Sequence, residues 1–424
     1  MNLNPILKPA SAGTQSLLVR ALEGHDLTER QVAELYCLRG TDQKALLASA
    51  DYLRRETVGD QVSYVVNRNI NFTNVCVKRC RFCAFSRTQR NREGYFLPLG
   101  EVVRRAVEAR DYGATEVCIQ AGLAPGMEGD YYIRLCKAVH QAVPRLHIHA
   151  FSPEEILYGV RQSGWSIRDY LGALKEAGLG SLPGTSAEVL VQEVRDRISP
   201  GRITVAQWTE IIRTAHSLGI PTTSTIMYGH LETPRHIARH LLLLRDLQRQ
   251  TGGLTELVPL SFVYREAPLY NDGLIPEVRA GATQGEVLNM HAVARLALNR
   301  DIPNLQVSWV KVGLEMSKRC LEAGANDLGG TLINESISTA AGASHGQLKR
   351  PSELRQAIRE MGRVPVQRTT LYDTLQLFDG TEDLEIELDR LDRKETGRFG
   401  SYQQLIETDS FRFKDLGQEK EVVR

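Results

Sequence analysis

From Ser63 onward, short runs rich in β-branched and aromatic residues alternate with amphipathic stretches, and this alternation restricts the fold more than any other feature. Eight runs read as strands: YVVNRNINFT, TEVCIQAG, LHIHAFS, GLGSLPG, PTTSTIMYG, ELVPLSF, NLQVSW and DLGGTL, the fourth being short and Gly-rich. Helices with clear punctuation lie between them. Ser152 with Glu155, Thr204 with Gln207 and Thr283 with Glu286 have the spacing of a capping box. Pro153 and Pro234 occupy the favoured first helical position. Gly113, Gly178, Gly219 and Gly324 stand where helices give way to strands. Trp208, Ile211, Ala215 and Leu218 share one helical face, as do Ile237, Leu241, Leu244 and Leu247. Repeated strand–helix alternation predicts parallel βαβ units. The economical closure is an α/β fold of the (β/α)8 TIM-barrel type, with its active site at the C-terminal ends of the strands. An open doubly wound sheet ranks second, because no phosphate fingerprint follows the first strand.

The expected organisation is an N-terminal helical segment over residues 1–62, the barrel over 63–348, and a C-terminal helical extension with a charged tail over 349–424. With 424 residues, 42% of them hydrophobic, the chain can bury a large core. A formal net charge of +1 gives no bulk attraction to nucleic acid or anionic membrane. No apolar run is long enough to span a bilayer. The start, MNLNPILKPASAGTQ, lacks the apolar stretch of a signal peptide, so a cytoplasmic location is expected. Seven scattered cysteines in such a chain argue against a disulfide framework.

Three of the seven fall in one short segment, NVCVKRCRFCAF: Cys76, Cys80 and Cys83, spaced Cys-x3-Cys-x2-Cys. They follow the first predicted strand, on the rim where a barrel carries its chemistry. Dense thiolates bind metal, but a structural zinc site wants four ligands, and no histidine lies between His25 and His140. A [4Fe-4S] cluster held by only three cysteines leaves one iron open. Lys78, Arg79 and Arg81 favour thiolates and offset the charge of a thiolate cluster.

This motif, with Phe82 before its last cysteine, resembles the signature of the radical S-adenosylmethionine (SAM) superfamily. The resemblance implies two cofactors, a [4Fe-4S] cluster on Cys76, Cys80 and Cys83 and SAM chelating the open iron. Reductive cleavage of SAM would yield a 5′-deoxyadenosyl radical. Further segments, IQAGLAPG, HIHAFSPEEI, RDYLGALKEAGLGSLPGTSAE, TTSTIMYGHLETPRH, QVSWVKVG and AGANDLGGTLINESISTAAGASHG, extend it. Together they resemble the family of tyrosine 4-hydroxyphenyl transferases that act on 5-amino-6-(D-ribitylamino)uracil in deazaflavin (FO) biosynthesis. That implies L-tyrosine and the diaminouracil as substrates, a reductant protein, and association with the first FO synthase subunit. A sister enzyme, the cyclic dehypoxanthinyl futalosine synthase of menaquinone biosynthesis, shares the cysteine segment and stays open as an alternative. So do an iron–sulfur redox sensor or electron carrier without catalysis and a metal-free barrel lyase.

Other residues gain expected roles by the same resemblance. Gln120, Ala121 and Gly122 partly match a Gly-Gly-Glu segment whose backbone meets the methionine amino group; a plain strand-to-loop turn explains Gly122 equally well. Glu188 is expected at the ribose hydroxyls or amino group of SAM, and Arg195 or Arg197 at its carboxylate, with an exposed salt bridge the better reading of Arg197. Tyr228, His230 and Glu232 close the fifth strand and are the candidate catalytic groups, His230 being suited to proton transfer. His147 and His149 alternate with Ile148, so both are expected in the lumen, with His149 nearer the rim. Asp327, Asn334 and Glu335 flank the last strand as candidate contacts to the uracil ring or ribityl hydroxyls, with caps and turns as the competing reading. Cys118, Cys136 and Cys320 read as ordinary buried thiols.

Overall fold

The computed structural model describes residues 4–380, 385–392, 394–414 and 416. Among the described residues nine strands form, all parallel neighbours except one hairpin. β1 (Gln61–Val65) and β2 (Asn67–Ile70) make one long strand interrupted at Val66. β2 pairs with β3 (Glu116–Ile119), and β3 with β4 (His147–Ala150). His149 then bridges to Ser181, and Leu182 to Thr222 at the start of β5 (Thr222–Tyr228). β5 pairs with β6 (Leu254–Ser261), whose Leu257 bridges to Leu305; Gln306 bridges to Asp327 in β7 (Asp327–Gly330). β7 returns to β1, and Ile333 to Arg68. Every step of this circuit is parallel, so eight strand positions close on themselves as a (β/α)8 barrel.

All eight predicted strand positions lie in the ring. The fourth and seventh are reduced to isolated bridges, one to each neighbour. At the fourth, Pro183 and Gly184 explain why: a Cβ on Gly184 would lie 2.0 Å from the Thr223 carbonyl oxygen, an approach only glycine allows. All three predicted capping boxes form with both reciprocal bonds. Around the ring, the N-terminal helices Glu29–Tyr36 and Gly40–Val58 pack on helix Gln284–Leu298, which is buried from Val287 to Leu298. Asn289 on that helix donates to the carbonyls of Tyr36 and Leu38, tying the N-terminal segment to the barrel.

The C-terminal region departs from the expected helical extension. After helix Pro351–Arg359, β8 (Val364–Arg368) pairs with the start of β1, and β9 (Thr374–Leu377) folds back antiparallel as an edge. Val, Pro and Thr spacing here carries a period of two that an expectation of helix overlooked. The hairpin turn enters the N-terminal mouth of the barrel. Arg368 Nε and Nη2 donate to the Asp327 carboxylate at 2.5 and 3.0 Å, and the Tyr372 hydroxyl donates to Glu256 at 2.5 Å. The expected charged tail is also not loose where described: Phe399, Tyr402 and Leu405 are buried against the barrel. The rest of that tail, residues 381–384, 393, 415 and 417–424, lies outside the described residues. Among the described residues no helix is long and apolar enough to cross a membrane.

Candidate active site

A cavity of about 250 Å³ opens at the C-terminal rim of the barrel, where the topology leads one to look. Cys76, Cys80 and Cys83 all line it, with Phe82 between them. The cysteine loop leaves β2 and is pinned by backbone bonds. Cys76 N donates to Arg87 O, Cys83 N to Cys80 O, and Val77 N to Leu123 O. Burial pushes the Cys80 thiol up to about 12, with Arg202 pulling the other way, and raises Cys76 too. Among the described residues no three Cys, His, Asp or Glu side chains converge as a single-ion site.

Gln120, Ala121 and Gly122 follow β3 and lie backbone to backbone on that loop. Gly122 N donates to Thr73 O at 2.8 Å, and Ala121 N to Glu155 Oε1 at 2.9 Å. A Cβ on Gly122 would lie 2.3 Å from Val75 O, so close approach requires glycine there. Glu155 closes its capping box with Ser152 and lines the cavity as well. Burial raises its carboxyl to about 7, although the Ser152 and Ala121 donors pull it down.

Glu188 also faces the cavity, held in a left-handed conformation (φ 43°) that non-glycine residues rarely adopt. One of its oxygens accepts from Arg202 Nη1; the other, Oε2, is buried with no hydrogen-bond partner among the described residues. Arg202 is the cationic hub of this wall. Its Nη2 donates to Ser186 Oγ at 2.8 Å, its Nε lies 3.5 Å from Glu154 Oε2, and its guanidinium covers the Phe82 ring at 5.3 Å. Burial works against its charge, but Cys80, Glu188 and Glu154 outweigh it and raise its pKa. Lys78 reaches the same Glu154 at 3.4 Å.

Several expected site residues are elsewhere. Arg195 is buried in helix Gln192–Ile198, and its guanidinium is spent on the carbonyls of Ala187 and Ile203; Arg202 stands where Arg195 was expected. Arg197 makes the exposed salt bridge, to Glu277 at 2.8 Å. On β5 the side chains alternate: Thr225 and Met227 face the cavity, so Tyr228 points away and is fully buried. His230 is buried with Nε2 3.1 Å from Met227 O, and burial lowers its pKa. Glu232 accepts from the backbone of Gly229 and His230 and from Arg279 at 2.8 Å, a turn-holding role. None of the three lines the cavity. His147 and His149 do share a face, and both contact Ser181 Oγ at 2.7 Å, but inside the barrel below the cavity; burial lowers His149 to about 4. Asp327 begins β7, so it lies at the opposite end of the barrel from the rim and pairs with Arg368. Asn334 accepts from Arg68 at 2.6 Å and donates to Gly400 O at 2.7 Å, fastening the C-terminal segment. Glu335 accepts from Ser338 N at 2.8 Å and caps a short turn outside the cavity wall. Cys118, Cys136 and Cys320 are free thiols, the last two buried.

The sequence reading missed Glu154, Glu155, Thr185, Ser186, Arg202, Met227 and Lys311, all of which line the cavity. The Ser-Pro-Gly turn at 199–201, with Gly201 at φ 74°, was the available sign that the chain doubles back toward Glu188.

Residues 70–244 match the radical SAM superfamily, and residues 252–380 match the CofH/MqnC C-terminal region. A 5-amino-6-(D-ribitylamino)uracil–L-tyrosine 4-hydroxyphenyl transferase of Methanocaldococcus jannaschii is 49% identical over 334 residues, covering 78% of this chain and 92% of the relative. An FO synthase of Mycobacterium tuberculosis is 47% identical over 348 residues, covering 82% of this chain but 40% of that longer protein. Among solved structures, the FeFe-hydrogenase maturase HydG from Carboxydothermus hydrogenoformans superposes with a TM-score of 0.67 at 14% identity, covering 99% of this chain and 96% of that one. At that identity the likeness speaks for the fold alone.

Proposed function

The chain belongs to the radical SAM superfamily and, within it, to the family of 5-amino-6-(D-ribitylamino)uracil–L-tyrosine 4-hydroxyphenyl transferases; from that membership we infer its reaction and the roles of its cavity residues. It joins the 4-hydroxybenzyl group of L-tyrosine to the diaminouracil, releasing 2-iminoacetate, 5′-deoxyadenosine and methionine, in FO biosynthesis. The observation that carries the assignment of roles is the sharing of one rim cavity by three cysteines, the Glu188–Arg202 pair and an unpartnered buried oxygen of Glu188.

The donor set fits the cofactors that the family implies. Cys76, Cys80 and Cys83 would hold a [4Fe-4S] cluster, and Arg202 and Lys78 would offset its negative charge. Glu188 Oε2 would accept from the amino group or ribose of SAM. The backbone of Gln120–Gly122 would meet the methionine end. Bound there, the reduced cluster would supply an electron to SAM, and SAM the 5′-deoxyadenosyl radical for the tyrosine chemistry. The protein then has to hold reactants at van der Waals distance and exclude water. Phe85, Met227, Leu260, Phe262 and Val263 give this cavity the apolar wall for that task.

Two partners belong to the same reading. A one-electron reductant must reach the cysteine loop, whose Val77 and Arg79 are exposed. Association with the first FO synthase subunit is supported by the longer FO synthase relatives, of which the matched region is 40%.

The test is anaerobic reconstitution with iron and sulfide, reduction, and addition of SAM, L-tyrosine and diaminouracil. The coupled product is expected. Turnover of dehypoxanthinyl futalosine instead would transfer the chain to the menaquinone-pathway reading. Cluster uptake without SAM cleavage would leave only a redox protein.

A further inference from the structure

We propose that Lys311 binds the α-carboxylate of L-tyrosine and so fixes which end of that substrate faces the cysteine loop; this rests on the transferase reading above. Lys311 lies in the turn Trp309–Val312 that follows the seventh strand position, and it lines the rim cavity. In an eight-strand ring the seventh position stands opposite the third, which delivers Glu154 and Glu155. Lys311 therefore faces the Glu154–Arg202 wall across the mouth.

Charge pairing singles it out. Three cations line the cavity: Lys78, Arg202 and Lys311. Lys78 and Arg202 are matched by Glu154 and Glu188. Among the described residues, no carboxylate forms an ion pair with Lys311. Its Nζ donates to Ser338 Oγ at 3.1 Å, which leaves further N–H donors for a ligand. The nearby Glu335 is committed to the backbone N–H groups of Ser338 and Thr339. Burial lowers the Lys311 pKa while Glu335 raises it, as befits an ammonium that lacks a close counter-ion.

A half-buried ammonium in an apolar cavity calls for an anion. The diaminouracil and its ribityl chain are uncharged. The anionic groups among the reactants are the carboxylates of SAM and of tyrosine. The SAM carboxylate belongs at the cysteine end in this reading, which leaves tyrosine for Lys311. The apolar wall of Leu260, Phe262, Val263 and Ile337 beside it suits the phenol ring.

The experiment uses the reconstituted full-length protein with SAM and no reductant, titrated calorimetrically with L-tyrosine, alongside steady-state assays. For K311M and K311Q, the tyrosine Kd and KM should rise by about 10- to 100-fold, the loss expected for a charged hydrogen bond. The KM for SAM should stay unchanged, and K311R should recover part of the loss. Tyramine, which lacks the carboxylate, should bind wild type and K311M equally. Unchanged tyrosine affinity in K311M would overturn the proposal, as would a rise in the SAM KM alone, which would give Lys311 to the SAM carboxylate. Failure of the transferase reading shows differently: wild-type protein would form no coupled product, whatever the binding titration reports.

Discussion

Replacing Gly122 by Ala tests whether the second strand's exit loop is a plain turn or a backbone platform for the cysteine loop. Gly122 is not in the left-handed region, so alanine meets no conformational penalty there. The obstacle is space. The new Cβ would stand 2.3 Å from Val75 O, 2.8 Å from Val75 C and 3.1 Å from Asn74 C, all backbone atoms that cannot rotate aside. Ordinary contact starts near 3.4 Å, so the two loops must part by about 1 Å, and overpacking of this kind costs about 1–3 kcal/mol. Val75 immediately precedes Cys76, so the displacement reaches the first cysteine directly. A misplacement of ~1 Å in a site that must hold reactants in contact costs about 100-fold in rate. The assay is 5′-deoxyadenosine release by reduced, reconstituted protein, with iron and sulfide content measured alongside. G172A is the control: nothing lies within 4 Å of its added Cβ, and in helix Ile167–Glu176 alanine should stabilise by up to about 1 kcal/mol. If G122A cleaves SAM at the wild-type rate, the close apposition does not position the loop, and the plain-turn reading stands.

Arg202→Met would strand Glu188 as a buried carboxylate without its cation and leave Glu154 to Lys78 alone; a loss of about 3–5 kcal/mol in urea unfolding is expected, with R202K recovering only part because it lacks the fork. Wild-type-like unfolding of R202M would contradict this. Arg368→Met should cost a similar ~3–5 kcal/mol by breaking the pair with Asp327, while leaving the tyrosine KM unchanged because that pair lies at the far end of the barrel. Stability should also fall on acidification. Burial holds His149, His216 and His291 down to about 4 and His240 to about 3, below the unfolded value of 6.5. Their contribution is therefore present above pH 6.5 and lost as pH falls toward 4. Glu155 has the opposite sign: raised to about 7, its contribution is present below 4.5 and lost as pH rises through 7. A midpoint in urea that is greatest near pH 6–7, and a weaker acid slope in H291Q, are the measurements; a flat profile between pH 4.5 and 6.5 would refute the histidine argument.

What the sequence revealed follows from how local each signal is. Capping boxes join residues three apart, and all three form as written. The three cysteines sit in one loop, so their shared cavity was legible from spacing and strand order alone. Arg202 was not, because its approach to Glu188 depends on helix Gln192–Ile198 and a tight turn that together return the chain. Proximity in sequence pointed to Arg195, whose helical position instead buries it among carbonyls. Tyr228 failed for a reason that strand alternation could have exposed: Met227 faces in, so its neighbour cannot. Asp327 failed on depth, since a strand's first residue lies a barrel length from its rim.

Those misplaced charges explain how the cavity can stay apolar. The lower lumen collects Asp327, Arg368, Glu256 and Tyr372, which satisfy one another, with the Arg368 guanidinium 4.0 Å from the Tyr372 ring centre. Tyr372 holds this plug from a left-handed conformation (φ 72°), a strain that the surrounding bonds must sustain. A barrel floor closed by paired side chains denies water an easy path from below. The rim then needs few uncommitted polar groups: Glu154 pairs with Lys78 and Arg202 there, while Glu188 Oε2 and Lys311 keep capacity for a reactant. The charges at the floor thus satisfy one another, whereas the rim, beside its own ion pairs, keeps two under-satisfied groups, Glu188 Oε2 and Lys311. A radical enzyme gains from that division, because capacity left open at the rim is filled by a reactant, whereas the same capacity on the floor would hold water.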